Sequence, residues 1–305
     1  PTDRSKDVAD LIDLTIEKQG HLIDLAFAVK KLNKMLKNSA KGYSLEELYK
    51  KVPDVLKGYV ELVYDLNDQP SFRVFEQLFY HSEFYTTDFQ SLNLFITNND
   101  ERPFCLSTPR LKDKDILSLD IPFSSSSIDE LSKMKRTPRP YSEIRELFDL
   151  DEEQEELFKT LFTDSVPESY KKYEGDKIRM RYFGHACILI ETKDISVLVD
   201  PLISYYGYMS SVEHFSDFDL PDEIDYVLIT HNHQDHILFE TLLPLRHRVK
   251  NIIVPRAGDG PLQDPSLKLM FENIGFENII ELGTMESIKM LSLIHISEPT
   301  RLSAI

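Results

Sequence analysis

Residues 226–236, Tyr226-Val227-Leu228-Ile229-Thr230-His231-Asn232-His233-Gln234-Asp235-His236, run a short apolar segment straight into four side chains able to bind metal. The apolar part is short and rich in Val and Ile, which predicts a buried strand. Side chains alternate along a strand with period two, so His231 and His233 at its end project to one side. A tight turn then swings Asp235 and His236 toward a second position. Imidazole and carboxylate are borderline-to-hard donors suited to zinc, iron or manganese. Two metals seated this way share one water and bring its pKa into the neutral range. A polar loop with incidental histidines is the alternative. Four ligating side chains in six residues, placed directly after a strand, argue against it.

Outward from this point the chain reads as alternating strands and helices. Upstream, Ile178, Met180 and Tyr182 alternate in one strand, Cys187 to Glu191 forms a second, and Lys193-Asp194 turns the chain. Ile195 to Val199 forms a third strand that stops at Asp200-Pro201. Downstream come a helix pattern at Phe239, Leu242 and Leu243, a strand at 251–254, a helix at 267–274 and a strand at 278–282. This is an α/β layout.

A boundary falls near Tyr173-Glu174-Gly175-Asp176, so residues 1–175 form a separate, mostly helical α+β front domain. Val8, Leu11, Ile12 and Ile16, then Leu22 to Leu36, keep helical spacing, with a break near Gly20. Ser44-Leu45-Glu46-Glu47 has the pattern of a capping box, and Pro53 ends the helix it starts. Val55 to Val63, and Phe72, Phe75 and Phe79, are expected to continue as core-facing helix stripes. Leu92, Leu94 and Ile96 alternate as a strand, Asn98-Asn99-Asp100 turns, and 104–107 and 116–121 supply further strands. The last Ser of 124–127 is expected to cap a helix with Glu130, and the acidic run 149–156 to lie on a solvated helix face near an N-terminus.

Composition excludes several functions. Of 305 residues, 35 are Lys or Arg and 52 Asp or Glu, a net charge of −17. That surface repels phosphates, so neither nucleic acid nor anionic membrane is an expected partner. No apolar run reaches the ~18–20 residues of a membrane span. The two cysteines, Cys105 and Cys187, make no disulfide framework, and no signal peptide opens the chain, so a cytoplasmic location is expected. Cys187, inside a strand, reads as core; His247 reads as a surface residue. The sequence begins at Pro1 without a Met, which leaves room for residues upstream.

Thr230 to His236 resembles the HxHxDH signature of the metallo-β-lactamase superfamily. Tyr182-Phe183-Gly184-His185-Ala186, Ile188 to Glu191 and Leu198-Val199-Asp200-Pro201 resemble that family's opening strands. The resemblance implies an αββα sandwich with a dinuclear site at one edge, of which 176–290 is the N-terminal half. It implies that His231 and His233 bind one metal and Asp235 and His236 the other, with Asp235 also orienting the attacking water as the catalytic residue. His185 and Asp200 are candidates for groups that support the ligands from behind. Gly58 to Asn67 with Pro70-Ser71-Phe72-Arg73 further resembles the leader of chloramphenicol-type diiron β-hydroxylases of nonribosomal peptide biosynthesis. That likeness implies iron, dioxygen, a carrier-protein-bound amino acid, and a front domain that serves dimerisation or docking.

A complete superfamily site also has a downstream His or Glu, a bridging Asp and a final His, and nothing after His236 supplies them. Leu291 to Arg301 resembles the translation of a transposase-type sequencing-library adapter, so 291–305 is expected to be a non-native tail and His295 no ligand. The native product is then expected to continue past Met290, leaving this truncated chain inactive and a weak metal binder. The leading expectation is a dinuclear hydrolase with two divalent metals, zinc foremost, acting on an ester, amide, lactone or phosphodiester. A diiron oxygenase hydroxylating a carrier-bound amino acid is the alternative. A non-catalytic binding module is the third, with special force for the truncated chain. The substrate is a small molecule or a carrier-protein-bound group, and a homodimer through the front domain is a further expectation.

Overall fold

The structure is a computed structural model that describes residues 4–39, 42, 44–65, 67–97, 111, 113–166, 169–204, 213–258, 264–291 and 294–297. The expected turn at 98–100, the strand at 104–107, Cys105 and most of the tail lie outside these residues. The chain forms two compact units, the first from 1–86, 104–112 and 257–266, the second from 87–103, 113–256 and 267–305. The boundary expected at 175/176 falls within the second unit.

In the first unit, α1 (Ser5–Ser39) is interrupted at Gln19, whose φ of −121° and ψ of 17° leave the helical region just before Gly20. Beyond the break, Ala28, Leu32 and Leu36 repeat every four residues and are buried, so they share one face. Short 3₁₀ turns, Glu46–Lys51 and Asp54–Leu56, follow. Ser44 Oγ accepts from Glu46 N at 3.2 Å, a local turn rather than the capping box expected there. The helix stripes expected over 55–79 are largely a hairpin. β1 (Val60–Tyr64) pairs antiparallel with β2 (Pro70–Val74), and α2 (Glu76–Tyr80) follows. Val60, Leu62, Phe72 and Val74 are buried on one face of it, packed with Leu32, Leu36 and Leu56. Asp65 Oδ1 fixes the turn by accepting from Asn67 N and Gln69 N at 2.9 and 2.8 Å.

The second unit opens with β3 (Leu92–Leu94) paired antiparallel to β4 (Leu117–Leu119). Next come α3 (Ser126–Lys133), capped by Ser125 rather than Ser127, and α4 (Tyr141–Arg145). In α5 (Glu152–Lys159), Asp151 and Gln154 make a reciprocal capping box. Leu117, Leu119, Ile144, Phe148, Leu150 and Phe158 form a local core.

The main sheet follows in the order β10-β9-β8-β7-β6-β5. β5 (Arg179–Gly184), β6 (Cys187–Glu191) and β7 (Ser196–Val199) are antiparallel. β7, β8 (Ile224–Leu228), β9 (Val249–Pro255) and β10 (Ile279–Leu282) are parallel. Parallel neighbours need long crossovers; α6 (Phe239–Leu245) links β8 to β9, and α7 (Leu267–Asn273) links β9 to β10. β11 (Ser287–Leu291) and β12 (Ile294–Ser297) form a separate antiparallel pair. The chain is thus a helical front region followed by a β-lactamase-like α/β region.

One core joins Leu189, Leu198, Val227, Leu242, Ile252 and Phe271 with Ile128 of α3. Arg246, buried below this layer, donates to the carbonyls of Phe123, Ser125 and Ile274 and pairs with Asp129 at 3.0 Å. Gly275, at φ +88°, is required beside it, since a Cβ there would stand 2.8 Å from the guanidinium. Met180 and Tyr182 on the edge strand β5 are exposed. His247, expected at the surface, is half-buried, with no hydrogen-bond partner for Nδ1 among the described residues.

Candidate metal centre

β8 ends at Leu228, and Ile229 N still donates to Ile253 O at 2.9 Å, so the chain enters the histidine loop from a fixed point. The loop then tightens, with His236 N donating to His233 O at 3.0 Å. This places it at the carboxyl ends of the parallel strands, where open α/β sheets bind ligands.

The four candidate residues lie close together, but only Asp235 and His236 of them belong to the described group whose ligating atoms converge, while His231 and His233 approach by their rings. The rings of His231 and His233 are 4.4 Å apart between centroids, and those of His231 and His236 are 3.9 Å apart. His236 Nε2 lies 3.7 Å from Asp235 Oδ2. His185 joins them from the β5–β6 turn, its Nε2 3.1 Å from Asp235 Oδ2. Ligand atoms of His185, Asp235 and His236 all lie within 4.8 Å of one another. His185 thus stands beside the Asp235 carboxylate, in the open part of the candidate site rather than behind it. One cue to this is visible in the sequence, Gly184 immediately before His185 in a tight strand–strand turn.

Asp200 lies behind the loop, 1% exposed. Its Oδ2 is 2.8 Å from His236 Nδ1, and it accepts from Thr230 N at 2.8 Å. Thr230, which sequence reading passed over, also contacts His231 Nδ1 through its hydroxyl at 2.9 Å. Two of the supporting residues hold unusual backbone conformations, His185 at φ 47° and Asp200 at φ 40°. Left-handed non-glycine residues cost of order 1–3 kcal/mol each and collect at functional sites.

Burial, with His236 and His233 nearby, holds the His231 imidazole below its ordinary pKa and therefore neutral. For Asp235, burial pushes upward, but a backbone N–H and the charges of His236, His185 and His233 outweigh it, so its pKa is lowered. Neutral imidazoles and an ionised carboxylate are the forms that ligate. Cys187, two residues beyond His185, is core: burial pushes its thiol up to about 12, far from a nucleophile.

Residues 1–166 match the family described as diiron non-heme β-hydroxylase N-terminal domain, and residues 179–282 match a β-lactamase superfamily domain. The chain belongs to the diiron non-heme β-hydroxylase family. A 4-amino-L-phenylalanyl-[CmlP-peptidyl-carrier-protein] 3-hydroxylase of Streptomyces venezuelae is 33% identical over 282 residues, covering 90% of this chain and 53% of that protein. The crystal structure of CmlA, a diiron β-hydroxylase from the same organism, superposes with a TM-score of 0.76 at 33% identity, over 91% of this chain and 52% of that one. A mutant of the CmlA β-hydroxylase superposes at 0.75. The β-hydroxylase-family chain therefore spans about half the length of the relatives it matches.

These likenesses overturn the expected hydrolase. The histidine motif specifies donors for a metal pair, and such donors accept zinc and iron alike. The match of residues 1–166 to a β-hydroxylase N-terminal domain, with relatives described as β-hydroxylases, favours the oxygenase alternative over hydrolysis. The preference for zinc falls with the hydrolase. Among the described residues, no helix is long and apolar enough to cross a membrane.

Proposed function

We propose that this chain is part of a diiron oxygenase that hydroxylates the β-carbon of an amino acid tethered to a peptidyl-carrier protein. The observation that carries the reading is the union, in one chain, of the β-hydroxylase leader with the metal motif of residues 231–236. His231 with His233, and Asp235 with His236, would hold the two irons. The donor set fits them, since neutral imidazole and ionised carboxylate suit borderline-to-hard cations. Bound iron would supply the electrons and open coordination positions through which dioxygen is reduced. The protein's own residues hold that site in shape: Asp200 and Thr230 fix the histidine rings, and His185 accompanies the Asp235 carboxylate. Asp235 keeps a ligand role, without the water-orienting role tied to hydrolysis. The carrier-bound substrate, a homodimer through the front domain and a cytoplasmic location belong to the same proposal.

The test uses the gene product that contains this chain, loaded with ferrous iron without oxygen. Dioxygen is then admitted with an aminoacyl carrier protein, and intact masses are recorded. Stoichiometric iron and the mass gain of one oxygen atom on the loaded carrier are expected. An iron-loaded protein that leaves every aminoacyl carrier unoxidised would overturn the proposal.

A further inference from the structure

Thr230 stands where β8 passes into the histidine loop, and a short chain of hydrogen bonds runs through it. Its N–H donates to Asp200 Oδ1 at 2.8 Å, and its hydroxyl donates to Asp200 Oδ2 at 2.7 Å. A threonine hydroxyl has one proton, and the carboxylate takes it. At the 2.9 Å contact with His231 Nδ1 the hydroxyl oxygen must therefore accept, and that ring nitrogen must carry the proton. His236 Nδ1 lies 2.8 Å from Asp200 Oδ2, and a carboxylate only accepts, so this nitrogen is protonated as well. Both rings are left with Nε2 as the bare, ligating nitrogen. An unconstrained imidazole in water favours the opposite tautomer, with its proton on Nε2.

We propose that Thr230 is a positioning residue that relays the buried Asp200 carboxylate to His231, so that one carboxylate sets the metal-binding tautomer of two histidines. Which nitrogen of a histidine ligates is set by the hydrogen bond that the other makes. A direct bond serves His236, and the hydroxyl extends the same control to His231, whose ring lies beyond the direct bond. The geometry of the relay is well defined. Asp200 is held by its own N–H donating to Leu228 O at 2.9 Å, and Thr230 is β-branched and stiff at χ1. The inference rests on the metal reading of this loop, and not on iron or on the oxygenase reaction.

Long-range ¹H–¹⁵N spectra of the nine histidines of the metal-free chain test it directly. They are taken at about pH 8, above the ordinary imidazole value of roughly 6.5. In the unsubstituted chain His231 and His236 are expected as Nδ1–H tautomers, and either one found with its proton on Nε2 overturns the relay without any variant. Thr230→Val keeps the shape and removes the hydroxyl. It should release His231 to the Nε2–H form while His236 stays, and weaken cobalt(II) binding by ~10–100-fold, the usual cost of losing a partner behind a ligand. Thr230→Ser, which keeps the hydroxyl, should restore both the tautomer and the affinity. A valine variant with unchanged His231 tautomer, or a serine variant that behaves like valine, overturns the proposal. These outcomes leave the oxygenase reading standing. That reading fails separately, if the tautomers are as stated and the iron-loaded protein oxidises no carrier-bound substrate.

Discussion

Two carboxylates are buried at opposite ends of the same sheet, and they are partnered in different ways. Glu191, at the far end of β6, is 3% exposed and meets two guanidinium groups, Arg179 at 3.0 Å and Arg181 at 3.1 Å, together with the Tyr170 hydroxyl. Asp200, at the end of β7, is 1% exposed and meets a backbone N–H, a hydroxyl and an imidazole. A buried charge with two cations around it is spent on the fold. A buried charge surrounded by dipoles and a histidine keeps its negative field for whatever cation the histidines hold. The backbone strain sits at the Asp200 end, with His185 and Asp200 both at positive φ.

Breaking the first end should give the largest loss of stability. Glu191→Gln leaves two arginines facing a group without charge, which should lower unfolding free energy by about 3 kcal/mol, the lower part of the range for a broken buried pair. Urea denaturation of the full chain measures it, and cobalt(II) affinity should be unchanged. Asp200→Asn should do the reverse, costing affinity by ~10–100-fold with a smaller loss of stability of about 1–2 kcal/mol. Equal stability losses with equal affinity losses would erase the contrast.

His247, in the turn before β9, offers a smaller, pH-dependent test. Burial, and then Arg248, lowers its pKa in the folded chain. The unfolded chain therefore binds this proton first, so the contribution of His247 is complete above about 6.5 and is lost as pH falls below it. Denaturation midpoints of His247→Gln should fall less steeply with pH in that window than those of the unsubstituted chain. The smallest effect is expected at the strained turn. His185→Gly should raise the stability of the metal-free chain by about 0.5–1 kcal/mol by relieving the positive φ. A loss of stability there would mean that the His185–Asp235 contact outweighs the strain.

The strand entering the histidine loop was legible because a short β-branched run followed by ligating residues admits few other folds. The segment from Val55 to Phe79 misled because Val60 and Val63 fit helical spacing, while Val60 and Leu62, with Phe72 and Val74, fit alternation equally well. Pairing across the Asp65 turn decides between them, and spacing along one segment does not carry that information. Asp235 and His236 are adjacent in sequence, but His185 reaches them from fifty residues away through a turn. Thr230 was overlooked for a related reason: a hydroxyl beside a histidine is ordinary until a carboxylate thirty residues earlier is folded against it. The sequence motif points to donors that accept zinc and iron alike, and what favours the oxygenase proposal over the hydrolase is the likeness of residues 1–166 to β-hydroxylases, which reads out ancestry rather than local chemistry.

The buried Arg246 has a consequence for how such proteins can be inherited. Its hydrogen bonds to Phe123, Ser125 and Ile274 tie the later half of the leader to the crossover layer of the sheet. That half is therefore not a cassette that recombination can trade between relatives. A crossover placed near residue 175 would draw the Arg246 guanidinium and its Asp129 partner from different parents. A crossover near residue 86 would keep them in the same parent.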